Sequence, residues 1–169
     1  MKDAQGEYYF LPYNANLDRL KSTGIRGLIL KDTLTTIGSK GKALFFFDTC
    51  YSGSLLDFKG AKGENGSQVN VNELATELAH APSGPIVFSS STGRQLSIER
   101  PEWEHGAFTK ALLEGLAGKA DQKPSDGAID VKELERYLYQ RVKELTNGDQ
   151  TPTTATPQGV TPIPIALVQ

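Results

Sequence analysis

With 169 residues, 38% of them apolar and 22% charged, the chain has the size and make-up of one globular domain with a substantial core. Its net charge of −2 argues against a general nucleic-acid binder or a polybasic membrane protein, and no apolar run approaches the roughly 20 residues that a spanning helix needs. A single cysteine excludes an internal disulfide and a cysteine-rich zinc site, and it suits a reducing, cytoplasmic setting.

In chain order, residues 6–13 (GEYYFLPY) predict a short aromatic strand that stops at Pro12, followed by a turn over 14–18. Apolar residues at 25, 28, 29, 30, 34 and 37 predict a helical face, with Ser22 or Thr23 as its cap and Gly38 as its stop. Residues 43–47 (ALFFF) form an unbroken apolar run, which predicts a strand buried on both faces as in the middle of a parallel sheet. Residues 57–72 are rich in Gly, Asn and Lys and predict a flexible surface loop, and 73–80 a short helix using Leu74 and Leu78. A second buried strand is predicted at 85–90 (PIVFSS), and a helix over 107–116 with Phe108, Ala111, Leu112 and Leu116 on one side. The clearest helix covers 130–145: Val131, Leu134, Leu138, Val142 and Leu145 share a face, and Asp130 and Glu133 stand at capping-box spacing. Residues 146–162 read as Pro- and Thr-rich coil, and 163–168 as a closing strand that Pro162 and Pro164 confine to an edge or a strand entry. The alternation of strands and helices gives the α/β class.

The apolar run at 43–47 ends abruptly in small and polar residues, Asp48-Thr49-Cys50-Tyr51-Ser52-Gly53. Open α/β sheets place their chemistry at the carboxyl ends of such strands, which makes Cys50 a candidate nucleophile. A buried, inert cysteine is the commoner case, but Cys50 follows its strand rather than lying within it. Asp48 would raise the pKa of a neighbouring thiol, so it does not serve as activator; recognition of a cationic substrate group fits it better. Other cysteine chemistries fail on sequence. A phosphate-binding loop of the tyrosine-phosphatase kind needs an Arg where Leu56 stands, a redox dithiol needs a second cysteine, and the flanking glycines of a Gly-x-Ser-x-Gly elbow are missing around Ser52.

The segment FFFDTCYSG resembles the nucleophile segment of the caspase-like cysteine peptidases, closest to metacaspase-like and bacterial members. YYFLPY resembles the text that follows the family's catalytic histidine. SSSTGRQLSIE (89–99) and HGAFTKALLEGL (105–116) resemble the next strand, the specificity loop and the helix beyond it; DGAIDVKELERYL and the QTP at 150–152 also match bacterial members. The resemblance covers nearly the whole chain. It implies a mostly parallel sheet flanked by helices, and a thiolate at Cys50 that attacks the scissile carbonyl while backbone amides hold the oxyanion. It also implies protein or peptide substrates cleaved after Arg or Lys. Asp48 falls on the first pocket acid, and Ser97-Ile98-Glu99 on a Ser-x-Asp pattern whose acid is here the longer Glu99, which leaves the depth of the pocket open.

One departure is large. The family's histidine lies about 50 residues upstream of the cysteine, whereas the only histidines, His80 and His105, follow Cys50. His105-Gly106 imitates the family's His-Gly dipeptide but aligns with a later helix start, and His80 reads as a surface residue at a helix end. The expectation is therefore a partial domain, residues 1–169, lacking the first strands and helices and the base, and inactive alone because an unassisted thiol is mostly protonated near neutral pH. A rival expectation is a catalytically dead caspase-like scaffold for binding partners.

No cofactor is expected. Asp126-Gly127-x-Ile129 with Glu133 resembles half of an EF-hand loop, but Gln122 and Pro124 stand where carboxylates are needed. Calcium dependence, known among metacaspase-like enzymes, is not assigned a site. Lys59 and Lys62 are candidate self-processing sites in a loop that otherwise reads as solvated, and Trp103 reads as a partly buried loop anchor.

Overall fold

The computed structural model describes residues 3–5, 7, 9–48, 85–92, 95, 97–122, 125–157 and 163–168. The predicted loop at 57–72, the short helix at 73–80 with His80, and Cys50, Lys59 and Lys62 lie outside the described residues.

At its centre β3 (Leu44–Phe47) runs parallel to β4 (Ile86–Ser89), with Leu44 opposite Ile86 and Phe47 opposite Ser89. β4 also pairs, antiparallel, with β8 (Thr153–Ala155) on its other side. That strand arises within the stretch read as coil. Its Thr-Thr-Ala sequence carries no apolar alternation, and only the pairing with β4 makes it extended. β4 is buried at every residue, as its uniform apolar run requires. β3 differs from expectation. It is half-buried rather than buried on both faces, and Phe46 is 38% exposed. Among the described residues β3 has a strand partner on one side only.

Strand alternation sorts the aromatic side chains onto two faces. Phe46 stacks on Phe88 with ring centroids 4.9 Å apart, and Phe47 stacks on Phe10 at 6.1 Å. One face, with Ile86 and Phe88, packs against α3 (Ala107–Glu114) and α4 (Val131–Leu145) in the main core, which includes Phe108, Ala111, Leu134, Leu138 and Val142. The other face, with Val87, meets Leu34 and Leu30 of α2 (Gly27–Lys40). Helices thus cover both faces of a sheet with a parallel core, an α/β architecture.

The predicted helix over 25–37 is shifted in the structure. Ile25–Arg26 forms strand β2, which pairs antiparallel with β1 (Tyr9–Phe10), and the helix begins only at Gly27. Neither Ser22 nor Thr23 caps it; both belong to the short helix α1 (Leu20–Thr23). Gly38 is buried inside α2, which continues to Lys40. Of the predicted apolar face, Leu34 is buried, whereas Ile25, Leu28, Ile29 and Ile37 are exposed.

The second half of the chain follows its pattern more closely. α4 starts with a complete capping box: Glu133 N–H donates to Asp130 Oδ1 (2.8 Å) and Asp130 N–H to Glu133 Oε2 (3.0 Å). Asp130 also ends β7 (Ala128–Asp130), which pairs antiparallel with β9 (Pro164–Leu167), with an irregularity between Ile129 and Asp130. The proline therefore sits at a strand entry, as its missing N–H demands. α3 runs on into a wider turn over 115–119, so Leu116 leaves the buried stripe and is exposed.

Candidate active site

The site is built where β3 and β4 end. Ser90 N–H donates to the Phe47 carbonyl (2.8 Å), which extends the parallel ladder by one residue and brings Ser90 beside the start of the polar segment. Ser90 Oγ and Ser97 Oγ are hydrogen-bonded at 2.8 Å, so Ser97 returns to the strand ends after the intervening loop. Two residues on, β5 (Glu99–Arg100) pairs antiparallel with β6 (His105–Gly106), and Glu99 lies opposite Gly106. Ala107 N–H donates to the Ile98 carbonyl (2.8 Å) and extends that pairing into the first turn of α3.

Asp48, exposed at the end of β3, reaches this same place. Thr109 Oγ1 donates to Asp48 Oδ2 at 2.6 Å, across 61 residues of sequence. A Cβ on Gly106 would lie 3.1 Å from the same oxygen. The fold thus brings the Asp48 carboxylate against Gly106, the residue that Glu99 faces across the β5–β6 pair. Asp48 meets, across 61 residues of sequence, the β6–α3 junction that pairs with the segment carrying Ser97 and Glu99. Glu99 is exposed, so it is open to a solvent-borne cation.

A buried glutamine fastens the loop. Gln150 Nε2 donates to the Ser90 carbonyl (2.8 Å), and the Ile98 amide donates to Gln150 Oε1 (2.7 Å). Its side chain is fully buried. Beside it, Thr151 N–H donates to Gln95 Oε1 at 2.8 Å. Sequence reasoning noted the QTP at 150–152 without giving Gln150 a task, and it did not single out Thr109 at all. The only signal for either was membership of the quoted QTP and HGAFTK segments, because a helix-surface Thr has no pattern of its own.

His105 does not join the acids. It is exposed, and strand alternation turns its side chain to the face opposite that on which Gly106 meets Asp48. Trp103 is partly buried against the core and carries the Arg100 guanidinium 4.9 Å from its ring centroid, an anchor for the turn between β5 and β6. Asp121 accepts from Ser125 Oγ (3.0 Å) and from the amides of Asp126 (3.1 Å) and Gly127 (3.2 Å), so its carboxylate holds the residues that lead into β7. Among the described residues no group of three or more His, Cys, Asp or Glu is arranged to hold a metal, and no helix is long and apolar enough to cross a membrane.

Helices on both faces of a parallel pair, an acid at the strand end and a loop returning beside it define an α/β domain with its candidate site at the carboxyl ends of the strands. Residues 3–158 match the family model of the caspase domain. The chain belongs to that family, whose general chemistry is that of a cysteine peptidase. No curated protein and no solved structure gave a match.

Proposed function

We propose that the chain carries the nucleophile and the primary specificity pocket of a cysteine endopeptidase that cleaves after Arg or Lys. Cys50 is the nucleophile, and Asp48 and Glu99 receive the cationic side chain, with Ser97 lining the approach. The observation that supports this most is the meeting of Asp48 with Gly106, directly across from Glu99. Two carboxylates at one strand end suit a guanidinium or an ammonium, and charge-assisted hydrogen bonds of this kind are about twice as strong as neutral ones.

The chemical step follows from the family. The Cys50 thiolate adds to the scissile carbonyl, the oxyanion collapses and the C–N bond breaks, leaving a thioester that water then hydrolyses. The departing amine needs a proton, and no residue of this chain is assigned to deliver it. Turnover by the chain alone is accordingly expected to be absent or slow, and the test reads the pocket and the sulfur without it.

Peptidyl chloromethyl ketones ending in Arg, Lys or the neutral norleucine alkylate a cysteine as the S–C bond forms, chloride leaves and the thiol proton goes to solvent. At about pH 8, where a free thiol is partly ionised, the Arg and Lys reagents should label Cys50 at least roughly tenfold faster than the norleucine reagent. Mass spectrometry locates the label, and Cys50→Ser should abolish it. Equal rates for all three reagents would overturn the basic preference and favour the second reading, a non-catalytic scaffold, which the position of both histidines after Cys50 supports.

A further inference from the structure

An exposed carboxylate at the end of a strand ordinarily samples several rotamers, and each must be given up when a cation binds. Asp48 is not so free. Its Oδ2 accepts a 2.6 Å hydrogen bond from Thr109 Oγ1, in the first turn of α3. Among the described residues Thr109 is the one side chain seen to donate to Asp48, and a carboxylate can accept further donors at Oδ1 and Oδ2.

Thr109 behaves differently from Thr33 and Thr35 of α2. Thr33 and Thr35 turn their hydroxyls back onto the carbonyls of Ile29 (2.8 Å) and Lys31 (2.9 Å), four residues before each. Thr109 instead spends its donor on a residue from a different element. Gly106 completes the arrangement from the other side. Its backbone is extended, with φ −67 and ψ 157, a conformation open to any residue. What matters at Gly106 is therefore the missing Cβ, which would stand 3.1 Å from Asp48 Oδ2.

We infer that Thr109 is a positioning residue for substrate specificity: its hydroxyl, with the space left by Gly106, presets the Asp48 carboxylate for a guanidinium or ammonium side chain. The inference rests on the pocket assignment proposed above. Thr109 touches no reacting atom and acts through Asp48.

The test uses the ratio of Cys50 labelling rates for the Arg and norleucine reagents, since that ratio isolates charge recognition from the reactivity of the sulfur. Thr109→Val, nearly isosteric but without the hydroxyl, should lower the ratio roughly three- to tenfold and leave the norleucine rate within about twofold. Thr109→Ser should restore most of the ratio, and Thr109→Val should add nothing to Asp48→Asn, as expected of two residues acting as a unit. Gly106→Ala, which intrudes on the carboxylate without removing any donor, should lower the ratio as well and stands in if Thr109→Val fails to fold. A ratio that falls with Asp48→Asn but holds with both Thr109→Val and Gly106→Ala overturns the inference and leaves the pocket standing. Equal losses in both rates would make Thr109 merely structural, which also overturns it. A ratio indifferent to Asp48→Asn overturns the pocket itself.

Discussion

Glu114 shows how much a single side chain can hold in this fold. Its carboxylate accepts from Arg141 Nε (2.7 Å), Arg141 Nη2 (3.3 Å) and the Tyr137 hydroxyl (3.1 Å), and Lys110 Nζ stands 3.3 Å away. The Arg141 hydrogen bond, more than any other cause, brings the Glu114 carboxyl down to about 2. Burial, with Glu114 as acceptor, pushes the Tyr137 phenol up to about 12, so it remains a donor at any ordinary pH. The sign of the linkage is clear. A depressed carboxyl pKa gives stability that is present above the unfolded value near 4.5 and is lost as pH falls towards 2. Glu114→Gln should therefore cost on the order of 1–2 kcal/mol near pH 7, allowing for solvent screening, with the difference from the natural chain closing between pH 4.5 and 2. Urea melts across that range would read it, and a constant difference down to pH 2 would refute it. Single residues differed in how plainly the sequence announced them. Asp48 stands in a recognisable segment two positions before Cys50, whereas Glu114 and Arg141 meet across 27 residues, a contact that periodicity does not encode.

Among the elements, α4 was the most legible because every level of its sequence agrees: an apolar stripe at helical spacing, a capping box and no internal Gly or Pro. α2 was less so. Ile25 fits a helical period, but its pairing with Phe10 in the β1–β2 ladder overrides that preference, and Gly38, a stop by composition, is tolerated inside the helix. β8 was missed since nothing in Thr153-Thr154-Ala155 alternates; the strand exists because β4 offers it a ladder. The capping box carries a prediction of its own. Asp130→Ala removes the acceptor of the Glu133 amide and should cost about 1 kcal/mol, whereas Asp130→Asn, another good cap, should cost only a few tenths. Thermal melts would separate the two; equal effects would place Asp130's contribution in the β7–β9 pairing rather than in the cap.

At the scale of the molecule, one buried side chain ties a late stretch of the chain to both ends of the loop beside the site. Gln150 follows α4 and precedes β8, and from there it spans 60 residues to the Ser90 carbonyl and 52 to the Ile98 amide. The distant groups lie before and within the segment that presents Ser97 and Glu99, so Gln150 is expected to help order it. Sequence patterns convey strand and helix but not such bridges, because a lone Gln among turn residues has no periodicity and its partners are backbone groups. Gln150→Leu fills similar space but withdraws the donor to the buried Ser90 carbonyl and the acceptor of the half-buried Ile98 amide, and should cost about 2–4 kcal/mol. Gln150→Glu keeps an acceptor for the Ile98 amide and loses the donor to Ser90. It also buries a charge, so it should be at least as harmful near neutral pH and recover partly on acidification, when the carboxyl regains a donor proton. Gln95→Ala removes the partner of the Thr151 amide at a half-buried position and should cost under about 1 kcal/mol. Denaturant unfolding would rank the three, and hydrogen exchange at Ile98 would localise the effect. An Ile98 amide as protected in Gln150→Leu as in the natural chain would show that the loop is held by other contacts, and that the C-terminal segment is not what orders the site.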